Sequence, residues 1–209
     1  MATLPSAEAL AACRTAHIIA PGGHETGVRN GERDHFGEAI DAMVANHREK
    51  GMTQNGPKGA VLFCYDGSEG SRAAMRAAAD LIEPGGDVVV VTIWESITVR
   101  LALAGAFAAG YPPNEGELDE QEEAAARRAA EEGARRAIEH GFKASAVTRQ
   151  STEGTARAIL AEADEISARL IVCGQRGRGP LRSALLGSVS HALAGHAHRP
   201  VLIAPEQAV

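Results

Sequence analysis

The chain has 209 residues, 44% hydrophobic and 23% charged, values of a globular protein that exclude a disordered or collagen-like chain. Aromatics make up 3%, which disfavours binding of nucleic acid by base stacking, and a net charge of −6 disfavours non-specific DNA or RNA binding. The length suits one domain with a sizeable core and is short for two.

Residues 1–57 show little periodicity. Phe36, Ile40, Met43, Val44 and His47 recur at helical spacing, with Asp34 as a cap and Gly51 as a stop. A short amphipathic helix between flexible segments is expected there. His17, His24, His35 and His47 fit no metal-ligand spacing and read as solvated side chains. Residues 1–20 lack a basic leader, so no signal peptide is expected. No apolar run reaches the roughly 18 residues of a membrane helix. Residues 101–109 come nearest. Cys13, Cys64 and Cys173 are too few and too scattered for a disulfide scaffold or a zinc site, and suit a reducing cytoplasm.

From Lys58 the pattern changes. Residues 60–65 are a continuous apolar run ending in Asp66, Gly67 and Ser68, as expected of a buried strand and a turn. Ala74, Ala78, Leu81 and Ile82 line one helical face, which Pro84, Gly85 and Gly86 terminate. Residues 88–93 read as a second buried strand, and 94–116 as irregular. Residues 118–140 predict a strong helix. Its acids precede their basic partners at i,i+4 in Glu123/Arg127, Glu131/Arg135 and Glu132/Arg136. Ala126, Ala130, Ala134, Ala137 and Ile138 form the expected buried stripe. Residues 144–148 are a weaker third strand. Thr152 is a candidate cap for a helix whose inner face is Ala156, Ile159, Leu160, Ala163 and Ile166. Residues 170–173 and 201–204 complete five strands, the last reached through a helix beginning near Ser188.

Buried strands alternating with helices imply right-handed crossovers and a doubly wound parallel sheet. Ligands of such sheets bind beyond the carboxyl ends of the strands, where the winding reverses. Asp66–Ser68 and the stretch from Gly174 lie at such ends. That stretch joins Gly174, Gly177, Gly179 and Gly187 to Arg176, Arg178 and Arg182, and Gly187-Ser188 opens a helix. Glycines let backbone N–H groups converge, and a helix N-terminus favours an anion. The pattern points to a phosphate or nucleotide, with a purely structural glycine loop as the alternative. It is neither a Walker A loop nor the dinucleotide fingerprint.

The spacing Gly174-x2-Gly177-x9-Gly187-Ser188 resembles the ATP-binding motif of universal stress proteins. Asp66-Gly67-Ser68-Glu69-Gly70-Ser71 after the first strand, Gly187-Ser188-Val189-Ser190, and Ala197-His198-Arg199-Pro200 before the last strand extend the likeness over residues 58–205. The resemblance implies a five-stranded Rossmann-like sheet of order 3-2-1-4-5 in an α/β fold, of adenine-nucleotide α-hydrolase type. It implies ATP, with ADP or AMP as alternatives, and an accompanying Mg2+ or Mn2+. By position, Asp66 would lie near the ribose, and is a weak candidate for the metal. Cys64 and Ile93 would line the adenine pocket. Gly174, Gln175, Arg176, Gly177, Arg178 and Gly179 would wrap ribose and phosphates, and Gly187, Ser188, Val189 and Ser190 would take phosphates. It further implies a cytoplasmic homodimer joined through residues 201–204.

Residues 1–57 depart from the family's single-domain members. Met52 is a plausible start of translation, which would make residues 1–51 a misassigned extension; residues 206–209 read as a tail. The expected function is that of a nucleotide-responsive regulator in stress response, because no residue of the loop stands out as a general base. A nucleotide-independent dimeric scaffold is one alternative. An ATP-dependent adenylating enzyme is another, though the Ser-Gly-Gly-x-Asp-Ser loop of such enzymes is poorly matched at Asp66–Ser71. Cys64 and Cys173 read as small buried hydrophobes before they read as a redox pair. His196 and His198 read as a helix-to-strand turn before a metal site.

Overall fold

The computed structural model describes residues 16–19, 25–28, 59–97, 99–100, 115–177 and 186–205. In chain order the strands are β1 (Ala16–Ile19), β2 (Glu25–Val28), β3 (Val61–Cys64), β4 (Asp87–Glu95), β5 (Lys143–Ser151), β6 (Leu170–Gly174) and β7 (Val201–Ala204). The helices are α1 (Glu69–Leu81), α2 (Glu115–Glu139), α3 (Thr155–Glu165) and α4 (Ser188–His196). All seven strands form one sheet in the order β2-β1-β7-β6-β3-β4-β5.

The five strands from β3 to β7 are mutually parallel and have the expected order 3-2-1-4-5. Their register is set by apolar runs buried on both faces. Val61, Leu62 and Phe63 of β3 stand opposite Val88, Val89 and Val90 on one side and Leu170, Ile171 and Val172 on the other. The chain winds from β3 outward to β5, then returns to β6 and continues to β7. Helices therefore cover opposite faces. Ala74, Met75 and Ala78 of α1 share one core with Ala134 and Ala137 of α2 and with Phe63, which meets Phe142 edge-on at 5.7 Å. Ile159 and Ala163 of α3 share the other with Leu193 of α4, Leu62 and Ile171.

Helix α2 lies close to the sheet because Gly133 has no side chain; a Cβ there would stand 2.8 Å from Tyr65 and Val90 side-chain atoms. Its buried stripe is Ala126, Ala130, Ala134 and Ala137, but Ile138 is 56% exposed. The sheet is met by the 130/134/137 line, and position 138 falls about 100° beyond 137 around the helix. The Glu123–Arg127 and Glu132–Arg136 pairs form as the spacing predicts, both at 2.9 Å. Strands β4 and β5 are longer than their apolar cores suggest, because the pairing continues through Trp94, Glu95, Arg149 and Gln150. Thr152 is not a cap: α3 is capped by Gly154, which has a φ of 100°.

Two strands were not legible as such. β1 and β2 form an antiparallel hairpin, and β1 pairs antiparallel with β7, His17 opposite Ile203, Ile18 opposite Leu202 and Ile19 opposite Val201. The outer edge of β7, through which pairing of copies was expected, is hydrogen-bonded to β1 within the chain. The helix expected over residues 36–47 lies outside the described residues, as do residues 101–109.

Candidate nucleotide site

The winding reverses between β3 and β6, and a cleft of about 500 Å³ opens at their carboxyl ends. Three turns build it. In the first, Gly67 adopts a φ of 76°, a conformation that favours glycine, and Asp66 Oδ1 accepts the Ser68 N–H at 2.9 Å. Ser68 then caps α1, its Oγ accepting the Ser71 N–H at 3.2 Å.

The second turn follows β6. The Gln175 N–H donates to the Ala204 carbonyl at 2.7 Å, tying the loop to β7. The Gln175 carbonyl accepts from the Gly187 N–H and from Ser190 Oγ, both at 2.9 Å. The third turn, before α4, is thereby clamped to the second. Ser190 Oγ also lies 3.0 Å from the Gly187 carbonyl. These turns approach so closely that a Cβ on Gly174 would fall 2.6 Å from the Gly70 backbone, and one on Gly187 would fall 3.2 Å from the Gln175 carbonyl oxygen. Gly177 sits against Asp66, where a Cβ would stand 2.8 Å from Oδ2.

Helix α4 begins with Gly187 as its N-cap, and among the described residues no side-chain cap hydrogen bond is made to its first N–H groups. The N–H groups of that turn have no partner within the helix and form the positive end of its dipole. Ser188 is thus the first helical residue, not the cap.

A family model described as the universal stress protein family matches residues 59–205. The chain belongs to the universal stress protein family. Universal stress proteins of Mycobacterium tuberculosis and Mycobacterium bovis are 53% identical to it over 38 residues, 18% of this chain. The match spans only 12% of the length of those curated relatives. Among solved structures, the hypothetical protein MJ0577 superposes with a TM-score of 0.58 at 18% identity, over 73% of this chain and 99% of that one. A family protein of Burkholderia pseudomallei gives 0.52 at 24% identity, over 73% and 99%. A universal stress protein family member of Arabidopsis thaliana with AMP bound gives 0.51 at 17%, over 72% and 93%. At these identities the likeness is one of fold.

Within this family fold the cleft gathers residues distant in sequence. Cys64, Asp66, Ile93, Gly174, Gln175, Arg176, Gly177, Gly187, Ser188, Val189 and Ser190 all line it. Arg178 and Gly179 lie outside the described residues. Ser71, Val91, Thr155, Ile159 and Leu186 line it as well and were not named as site residues from the sequence. Thr155 and Ile159 reach it because α3 crosses the sheet on that face, which local pattern does not reveal. Thr155 Oγ1 lies 3.2 Å from Glu95 Oε1 at the end of β4.

Burial pushes the Cys64 thiol well up from its ordinary value, with the neighbouring Cys173 and Asp66 adding to the shift. Burial also pushes Cys173 up to about 12. Both remain neutral thiols at neutral pH and behave as small apolar groups on the cleft floor. No group of three or more metal-ligating side chains occurs among the described residues, and no helix there is long and apolar enough to cross a membrane.

Proposed function

We propose that the cleft binds an adenine nucleotide and that the protein acts as a nucleotide-responsive regulator. The observation that carries this reading is the start of α4: an N-terminus capped by glycine alone, lining the same cleft as the Gly174–Gly177 turn. Such a site suits phosphate oxygens, which would accept from the N–H groups of Ser188, Val189 and Ser190. The Ser190 hydroxyl, given to the Gln175 carbonyl, would hold the loop in shape while its backbone N–H meets the ligand. Asp66 would take the ribose with the oxygen that faces Gly177, where the missing side chain leaves room. Cys64 and Ile93 would face the base. Fold likeness to the AMP-bound Arabidopsis thaliana protein supports the ligand class.

ATP is the nucleotide we favour, because the glycine-rich turn and the helix N-terminus together offer more donors than one phosphate requires. A Mg2+ or Mn2+ ion would then arrive on the phosphates and take most of its ligands from them and from water. Asp66 is the one carboxylate among the described lining residues, so the donor set fits an ion carried in by the nucleotide rather than one held by the protein. With its Oδ1 engaged by Ser68, Asp66 is a positioning group rather than a base for activating water. Bound nucleotide would accordingly serve as a signal.

Mass spectrometry of the small molecules that co-purify with the native protein, followed by melting with millimolar Mg-ATP, ADP and AMP, tests this reading. A bound adenine nucleotide and an upward shift in Tm are expected. No bound nucleotide and no shift with any of the three would reject it. Pyrophosphate release in the presence of a carboxylate substrate would point instead to an adenylating enzyme.

A further inference from the structure

Alternate residues of a strand share a face. Val91 and Ile93 of β4 both line the cleft, and Glu95, the last residue of that strand, follows them on the same face. Glu95 is half-buried. Arg149 of the adjoining strand does not serve it, being held by Glu162 and Glu165 of α3. Glu95 is met instead by Thr155, the first residue of α3, whose hydroxyl donates to Oε1 at 3.2 Å. A hydroxyl carries one proton and a carboxylate has none to give, so this bond runs in one direction. With its proton spent on Glu95, Thr155 offers the cleft lone pairs alone. Thr155 lines the cleft beyond Ile93, at the end where Cys64 and Ile93 would face the base. A group that only accepts asks for a ligand group that donates. The 6-amino group of a purine donates, whereas a 6-oxo group accepts. Against a 6-oxo group two acceptors would face each other without a proton between them, a mismatch that costs affinity.

We propose that Thr155, oriented by Glu95, selects the exocyclic amine of the base, so that the cleft prefers 6-aminopurine to 6-oxopurine nucleotides. This rests on the nucleotide reading above, with Thr155 as the group that meets the base and Glu95 as a positioning residue behind it. Calorimetric titration of the full chain with three probes tests it: AMP, purine riboside 5′-monophosphate, which lacks only the amine, and IMP, which carries oxygen in its place. AMP is expected to bind roughly tenfold more tightly than the purine riboside nucleotide. Thr155→Val keeps the shape without the hydroxyl and should bring the ratio of those two affinities close to one. Thr155→Ser keeps the hydroxyl and should retain the preference. Glu95→Gln places beside Thr155 an amide that donates as well as accepts, which frees the hydroxyl proton for the cleft. The lead of AMP over IMP should therefore shrink in Glu95→Gln. A Thr155→Val variant with the preference of the parent overturns the proposal. Should that variant fail to fold, Glu95→Gln decides, and an AMP-to-IMP ratio equal to that of the parent overturns it. A parent that binds AMP and the purine riboside nucleotide equally overturns this selection and leaves the nucleotide site standing. A parent that binds none of the three overturns both.

Discussion

The hydroxyl of Ser190 donates to the main-chain carbonyl of Gln175 at 2.9 Å, across a gap of 15 residues in sequence. Ser190 is 2% exposed, so this bond is shielded from water. It fixes the glycine-rich turn after β6 relative to the first turn of α4, and thus sets the spacing of the two parts of the proposed phosphate site. Ser190→Ala removes one of the donors to the Gln175 carbonyl and leaves the Gly187 N–H in place. A cost of about 1 kcal/mol in stability is expected. A several-fold loss of nucleotide affinity should accompany it, since the site is no longer held in its binding shape. Thermal melts and calorimetric titration with AMP and ATP measure the two effects separately.

Gly177 and Gly70 separate binding from folding. Gly177 is exposed, and among the described residues a side chain there meets only the far end of Asp66. Gly177→Val should leave the Tm of the free protein nearly unchanged while abolishing the nucleotide-induced rise. Gly70 is buried, and a Cβ there runs into the Arg176 main chain. Gly70→Ala should instead lower the Tm of the free protein. A nucleotide response in Gly177→Val equal to that of the parent would contradict the placement of ribose beside Asp66.

Arg199 fastens the turn before β7 to the end of α3. It is 7% exposed and donates to the carbonyls of Ala163 at 2.8 Å and Ala168 at 2.6 Å, and it pairs with Asp164. Arg199→Met fills much of the volume but leaves both carbonyls without this donor. Destabilisation of about 3 kcal/mol is expected, measured by urea unfolding, because two buried acceptors lose a charged partner. Asp164→Ala should cost much less, since that carboxylate is exposed.

Glu132 gives the protein a pH-dependent contribution to stability. The bond from Arg136, then the bond from Tyr65 Oη at 2.9 Å, hold its carboxyl below the usual carboxylate range. A depressed folded-state value stabilises the protein above the unfolded-state value, about 4.3, and that contribution is lost as pH falls through the folded-state value. Glu132→Gln should therefore be less stable than the parent at pH 7, with the gap closing below about pH 4. Parallel urea titrations at pH 7 and pH 3 test this; a gap of the same size at both would contradict it.

The thiols report on the cleft. With both held neutral by burial, Cys64 and Cys173 should alkylate far more slowly at pH 8 than an exposed cysteine. Cys64 lines the cleft, so saturating AMP should slow its modification further. Peptide mass spectrometry of iodoacetamide-treated protein resolves each position.

Much of the fold was written locally. The runs at 61–64, 88–91 and 170–173 are apolar on both faces, a pattern that in an alternating chain means central parallel strands. The glycine spacing after β6 marked the candidate site for the same reason: backbone crowding admits few side chains, so its trace survives in sequence. Thr155 and Ile159 carried no such mark, because their place in the cleft depends on which face α3 crosses. Ile138 was misassigned because a stripe of alanines is wide enough to be drawn through either 137 or 138, and only the line of contact with β4 and β5 distinguishes them.

By itself, then, the sequence determined the parallel core and the loops that meet at the switch point, since these follow from burial patterns and glycine positions read a few residues at a time, while the strand order came from the family resemblance. Only the tertiary structure decided what becomes of the outer edge of β7. Ile18 and Ile19, followed by Pro21, Gly22 and Gly23, are a faint hairpin signal. They become β1 because β7 offers a row of backbone groups in need of partners, and β7 stands 182 residues further along the chain, from Ile19 to Val201. Hydrogen bonding between strands so far apart leaves no periodicity in either one, so no local reading of the chain reveals it.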